Sequence, residues 1–213
     1  FDCEIALEAM RRQDLVASHL ALDHAFIAVP EHIRATILRG EVYILGQRPK
    51  EAITTWKLIE EKYPAFLHLV ADQWILAHQE LGQESVGLER LVAQLPEHGW
   101  GELLDIVYKH VLRLQGAEAA ELLMSQVLLK TPTLTVLAKR FEAQYELAIA
   151  REAQSSATDL KASVDLLKKR TSSLARYTCS SCGFRAKRFY WQCPGCNHWD
   201  VYSPKRGEGL AGL

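Results

Sequence analysis

No stretch of the 213 residues approaches the roughly 20 consecutive apolar side chains that a membrane-spanning helix needs, and no basic start, apolar run and small-residue cleavage site marks a secretory signal. As written, the polypeptide is expected to be soluble. An excess of one charge is also missing. With 25 basic residues against 26 acidic ones, the chain lacks the overall basic footprint of a nucleic-acid binder. A glycine-rich phosphate loop, a G-x-S-x-G turn and a paired-carboxylate signature are absent as well, so the sequence offers no local machinery for an enzyme. The eight histidines, at 19, 24, 32, 68, 78, 98, 110 and 198, show no H-E-x-x-H or comparable metal spacing. Most are expected on helices in solvated or hydrogen-bonded roles. Strand-like alternation is scarce before residue 172.

What the chain does have is helical periodicity. Hydrophobic side chains make up 48% of it, enough for a substantial core. From residue 1 to about 172 they recur at helical spacing. Phe1 to Met10 already reads as the middle of an amphipathic helix, so the chain is expected to be a piece of a longer protein. A period of 34 emerges when equivalent positions are compared. Positions 18, 52, 86 and 120 are Ser, Ala, Val and Ala; 25, 59, 93 and 127 are Ala, Ile, Ala and Val; 30, 64, 98 and 132 are Pro, Pro, His and Pro. This is the register of the tetratricopeptide repeat, in which small residues let two helices approach closely and a proline marks the exit of the second. Ala6 and Gly40 take the small position of the first helix, Trp56 and Met124 the bulky position of the second. The third repeat fits poorly: Leu45-Gly46-Gln47 recurs as Leu81-Gly82-Gln83 at an offset of 36, and Pro96 falls two residues early. A plain helical bundle with accidental coincidences is the alternative.

The expected helix pairs lie at about 1 to 29, 31 to 62, 65 to 95 and 100 to 130, with a capping helix at 133 to 151. They form a helical array over 1–151. A linking helix over 152–173 ends near Lys168, Lys169 and Arg170, whose charges suit its negative C-terminus. Beyond Ser173 the composition shifts to cysteine, glycine, aromatic and basic residues, defining a third segment, 174–213. From Arg176 onward the net charge is +4, with Arg176, Arg185, Lys187, Arg188, Lys205 and Arg206 against Asp200 and Glu208.

Four of the five cysteines fall within 18 residues, as Cys179-Ser180-Ser181-Cys182-Gly183 and Cys193-Pro194-Gly195-Cys196-Asn197. Without a secretory signal, such clustering favours metal binding over disulfides. Two tight turns each present two thiolates to one centre, and four thiolates at tetrahedral angles suit one zinc or one iron ion. Gly183 and Asn197 follow the second cysteine of each turn, where a left-handed backbone is often required. The ten residues from Gly183 to Gln192 suffice for a short hairpin, with Phe184, Phe189, Tyr190 and Trp191 as its apolar mass. So small a unit should depend on the ion to fold. The four ligands suit either a structural staple or a one-electron iron centre. The basic and aromatic run Arg185 to Trp191 could face nucleic acid, or have its rings packed on the helices. Packing on the helices is the reading expected of Phe184, Phe189, Tyr190, Trp191, Trp199 and Tyr202, since they carry more aromatic surface than a small module buries in itself. His198 is expected as a neighbour of a complete sulfur shell. Cys3 is expected to pack as a small apolar residue.

Arg176-Tyr177-x-Cys179-x-x-Cys182-Gly183-Phe184, Tyr190-Trp191-x-Cys193-Pro194-x-Cys196, Trp199, and the closing Pro204-x-Arg206-Gly207 with Gly212-Leu213 resemble the lipopolysaccharide assembly protein B family of Gram-negative bacteria. Cys3-Glu4-x-Ala6-Leu7 in the first helix fits as well. The resemblance implies an all-α fold: a tetratricopeptide-repeat helical solenoid with a small C-terminal rubredoxin-like metal-binding β-hairpin module, 174–213. It implies a non-enzymatic adaptor at the cytoplasmic face of the inner membrane, held by a transmembrane helix upstream of this chain. Its partners would be a membrane-bound AAA+ protease, the lipid A pathway deacetylase whose proteolysis it promotes, and a lipopolysaccharide-sensing inner-membrane protein. No nucleic acid is expected among them.

Overall fold

The computed structural model describes residues 1–98 and 101–204. The closing residues of the family-like pattern, Arg206-Gly207 and Gly212-Leu213, lie outside the described residues, as does the side chain of His98. Nine α-helices are described: α1 (Asp2–Arg11), α2 (Leu15–Ala28), α3 (Ile33–Leu45), α4 (Pro49–Lys62), α5 (Ala71–Glu80), α6 (Glu84–His98), α7 (Glu102–Lys130), α8 (Leu134–Ala150) and α9 (Gln154–Thr171). A 3-10 helix, Pro64–Leu69, precedes α5, and β1 (Tyr177–Cys179), β2 (Arg185–Ala186) and β3 (Tyr202–Pro204) follow α9. None of the described helices is long and apolar enough to cross a membrane. Contacts divide the chain into two units, Phe1–Leu91 and Val92–Leu213.

In the first unit each helix packs on its sequence neighbour, α1 on α2, α2 on α3, α3 on α4 and α4 on α5, as stacked repeats require. Helix starts follow local chemistry: the Asp14 carboxylate accepts from the Ala17 N–H at the head of α2 (2.9 Å), and Pro49 opens α4. Cys3, Ala6, Ala21, Leu22, Ala25, Ala35, Leu38 and Val42 form one core, so Cys3 does pack as a small apolar residue.

The 34-residue register survives in the backbone, but its large and small positions exchange partway along. In the second pair the fully buried Trp56 of α4 donates its indole N–H to the Ile37 carbonyl at 3.1 Å. The room comes from Gly40, where a Cβ would lie 2.1 Å from the indole nitrogen. Thirty-four residues on, Gly40 becomes Trp74 and Trp56 becomes Arg90. The large ring now belongs to the first helix of the pair, donates to the Gly87 carbonyl at 3.1 Å and is fully buried. Arg90 lies over the Trp74 ring at 5.5 Å and grips Glu60 with two nitrogens, Nε to Oε1 at 2.7 Å. The 3-10 helix also takes the place of the first turn of α5. The poor fit of the third repeat is therefore an inversion plus a rewound turn, with the pairing of helices retained. Pro96 does not end α6, which runs through it to His98; so near the C-terminus only one helical hydrogen bond is forgone.

In the second unit α7 packs on α8 and α8 on α9. The pair expected at 100 to 130 is one run broken at Gly116, whose φ of 86° and ψ of 178° suit glycine alone. A short antiparallel sheet follows, in the order β2-β1-β3, with Tyr177 opposite both Ala186 and Pro204.

Two substitutions test this packing. Gly40→Ala drives a methyl into the Trp56 ring and should cost about 1–3 kcal/mol in thermal unfolding, with part recovered in the double variant Gly40→Ala/Trp56→Leu. At Gly116 nothing lies within 4 Å of the place a Cβ would take, so Gly116→Ala should cost about 1–3 kcal/mol from backbone strain alone and be insensitive to neighbouring side chains.

Candidate metal centre

Strand β1 delivers Cys179 at its end, and the chain turns back at once to bring Cys182 beside it. The turn closes through Gly183, whose N–H donates to the Cys179 carbonyl at 3.0 Å and whose φ is 75°. The second turn repeats this, with the Asn197 N–H on the Cys193 carbonyl at 2.8 Å and Asn197 at φ 59°. Both left-handed positions are those expected from the sequence. Within each turn an N–H points back at the first sulfur: Cys182 N–H to Cys179 Sγ at 3.4 Å, and Gly195 N–H to Cys193 Sγ at 3.3 Å. These donors lower the cost of gathering negative charge.

The two turns bring Cys179, Cys182, Cys193 and Cys196 together, all four Sγ atoms within 4.8 Å of one another. Sulfurs of opposite turns, Cys179 with Cys196 and Cys182 with Cys193, sit 3.7 Å apart. Tetrahedral bonds of about 2.3 Å from zinc to sulfur place neighbouring sulfurs about 3.8 Å apart, whereas a disulfide needs about 2.05 Å. The four cysteines are thus arranged for one metal ion, and a thiolate shell of this size accepts zinc or iron alike. His198 faces the Ser181 hydroxyl, 3.4 Å from its Nδ1.

The surroundings distinguish the sulfurs. Burial works against ionising Cys193, yet the Tyr202 hydroxyl at 3.6 Å and the N–H groups of Cys196 and Gly195 outweigh it and hold the thiol below its ordinary value. At Cys182 the Phe184 N–H favours the thiolate, but desolvation and the three neighbouring sulfurs push the thiol up to about 12. Tyr202 is raised in turn, first by burial and then by its bond to Cys193, so it remains a donor to the centre.

The same strand ties the module to the helices of its unit. Arg176, immediately ahead of β1, donates to Asp105 Oδ2 of α7 at 2.7 Å. Tyr177, which shares the buried face of β1 with Cys179, donates its hydroxyl to Glu102 Oε2 at 3.2 Å. Asp105 continues the network: Oδ1 meets Lys139 (3.2 Å), Lys139 meets Glu142 (3.0 Å), and Glu142 meets Lys168 of α9 (3.4 Å). Sequence reading did not single out Glu102 or Asp105. As first-turn acids of α7 they look like ordinary partners of a helix dipole.

The aromatic residues differ from expectation in their packing. Phe189 and Tyr190 lie against the module's own core of Tyr177, Cys179, Ala186, Cys193 and Tyr202. Phe189 stands edge-on to Tyr177 and to Trp191, while Phe184 and Trp199 stay 42% and 45% exposed. The segment between the cysteine pairs contributes only the two residues of β2 to the sheet. A side chain on Gly195 would press on Phe184, so the glycine is what lets that ring lie against the second turn.

Native mass spectrometry should find one zinc or iron ion per chain, released on acidification as the thiolates take up protons; a bare chain with two disulfides would contradict this. Asp105→Asn removes the charge shared by Arg176 and Lys139 and should cost about 1–3 kcal/mol in unfolding without changing metal content.

Residues 177–201 match the family described as the rubredoxin metal binding domain. Over nearly its whole length the chain is also similar to curated proteins. It is 26% identical over 211 residues to lipopolysaccharide assembly protein B of Escherichia coli strain K12, covering 99% of this chain and 54% of that protein. To the protein of the same name from Haemophilus influenzae strain Rd it is 24% identical over 208 residues, covering 95% of this chain and 50% of that protein. The chain spans about half the length of the curated relatives it matches. Its repeat-bearing body and its cysteine centre together make the chain a homologue of proteins named lipopolysaccharide assembly protein B, with a rubredoxin-type metal-binding domain at 177–201.

Proposed function

We propose that this chain is the repeat and metal-module part of a non-enzymatic adaptor that regulates lipopolysaccharide synthesis at the cytoplasmic side of the bacterial inner membrane. The observation that carries the reading is similarity along 99% of the chain to proteins named for lipopolysaccharide assembly. The protein would present the lipid A pathway deacetylase to a membrane-bound AAA+ protease, under restraint by a lipopolysaccharide-sensing inner-membrane protein. Stacked helix pairs suit that work, since their contiguous faces bury a partner's helix or extended segment without chemistry.

In this reading Cys179, Cys182, Cys193 and Cys196 hold one zinc or iron ion as a staple. The ion supplies folding energy to a sheet of strands only two or three residues long, too little structure to stand alone. A second reading, a rubredoxin-type one-electron centre, draws on one feature: Cys182 is exposed, which would give an iron ion a ligand in contact with a redox partner.

The direct assay is capture of purified deacetylase and protease by the full-length protein carrying this chain, with degradation of the deacetylase followed in its presence and absence. Capture with faster degradation is expected, and Cys193→Ser should weaken both. Reversible electron exchange with a reductase and no capture would support the second reading, and salt-sensitive binding to RNA or DNA with no protein partner would contradict both.

A further inference from the structure

Tyr202 is tied to both cysteine turns. Its backbone lies opposite Cys179 in the β1–β3 register, where the first turn begins, and its hydroxyl lies 3.6 Å from Cys193 Sγ, where the second begins. Both ends of that contact are shielded from water, Tyr202 being 3% exposed and Cys193 0%. A hydrogen bond in so dry a place is stronger than the same bond at a surface.

A sulfur that binds a metal ion carries no proton, so in the loaded centre the phenol is the donor and the sulfur the acceptor. Cys193 Sγ then gathers the Tyr202 O–H and the Gly195 N–H, while Cys179 Sγ takes the Cys182 N–H. Apart from the cysteines themselves, no other side chain among the described residues bonds to any of the four sulfurs. The Tyr202 oxygen has no second partner either, so only the sulfur offsets the cost of burying it. Tyr190 packs on the same core, its ring centroid 6.2 Å from that of Tyr202, yet its hydroxyl accepts from Arg188 Nε at 2.6 Å and leaves the sulfurs alone.

We propose that Tyr202 is a positioning residue of the metal centre: its hydroxyl donates to Cys193 Sγ, draws charge from that one thiolate, and so sets how tightly the four sulfurs retain an ion and how strongly Cys193 donates to it. The inference rests on the reading that Cys179, Cys182, Cys193 and Cys196 hold one zinc or iron ion. A phenylalanine would fill the same space in the core, so the oxygen and the ring can be tested apart.

The test uses the full chain loaded with cobalt(II), whose sulfur-to-metal charge-transfer bands report how strongly the thiolates donate, and with zinc under competition from a chelator. Tyr202→Phe should move the bands to longer wavelength, because the sulfur electrons are no longer held by the O–H, and should hold zinc about tenfold less tightly. 3-Fluorotyrosine placed at 202 keeps the ring and donates more strongly, so the bands should move to shorter wavelength. Tyr190→Phe removes a hydroxyl from the same core and should match the parent in both measurements. A parent chain that took up no ion would bring down the reading of the four cysteines as a metal site, and this inference with it. If the parent took up one ion but neither change at 202 altered the bands or the zinc affinity, or if Tyr190→Phe moved the bands equally, the inference alone would fall.

Discussion

Four sulfur atoms meeting at one point is the constraint around which everything beyond α9 is arranged. The strands there contribute three, two and three residues, far short of a sheet that stands unaided. What fixes them is that Cys179 and Cys193 head two turns of the same design, each with a left-handed residue and an N–H on sulfur. An ion held there would add folding energy to a core of only a few side chains. Because Tyr177 shares the buried face of β1 with Cys179, positioning the sulfur also positions the tyrosine that reaches Glu102 and the arginine that reaches Asp105. The metal centre and the first turn of α7 are thus two ends of one short lever.

The helical body is organised by a different constraint, the matching of large rings to glycine. Trp56 needs Gly40, and Trp74 sits where Gly40 recurs, with Gly87 receiving its N–H. The exchange moves the bulk from one helix to the other, and Arg90, at the position equivalent to Trp56, lies over the Trp74 ring and pairs with Glu60. Interiors packed to this density tolerate such an exchange only when both partners change together.

The cysteine centre was legible because its determinants are local: two C-x2-C turns, Gly183 and Asn197 all lie within 19 residues. The ends of α2, α4 and α7 were legible for similar reasons, from Pro30, Pro64 and Pro132, whereas Pro96 lies inside α6 and marks no end. The helix pair at 100 to 130 was legible too, but not its joint: the two helical runs meet at Gly116 alone, with no loop between them to show in composition. The third repeat announced itself as irregular, but nothing local revealed that Trp74 and Arg90 had traded the roles of glycine and tryptophan. Least visible was the bridge to α7. Arg176 and Asp105 are 71 residues apart, Tyr177 and Glu102 are 75, and each is ordinary in its own segment. The aromatic run suggests a docking surface because composition shows how much ring surface exists and not that Phe189 and Tyr190 close over the module's own core.

If the sulfur centre is what holds β1 in place, its influence should be felt in α7, which contributes no ligand. Hydrogen exchange of the metal-loaded and chelator-stripped protein measures this directly. Removing the metal should speed exchange in the module and also at the amides of α7 around Glu102 to Tyr108, while α1 to α4 keep their protection. Unchanged protection in α7 after metal loss would show that the bridge through Arg176 and Tyr177 does not depend on the centre, and would contradict the account.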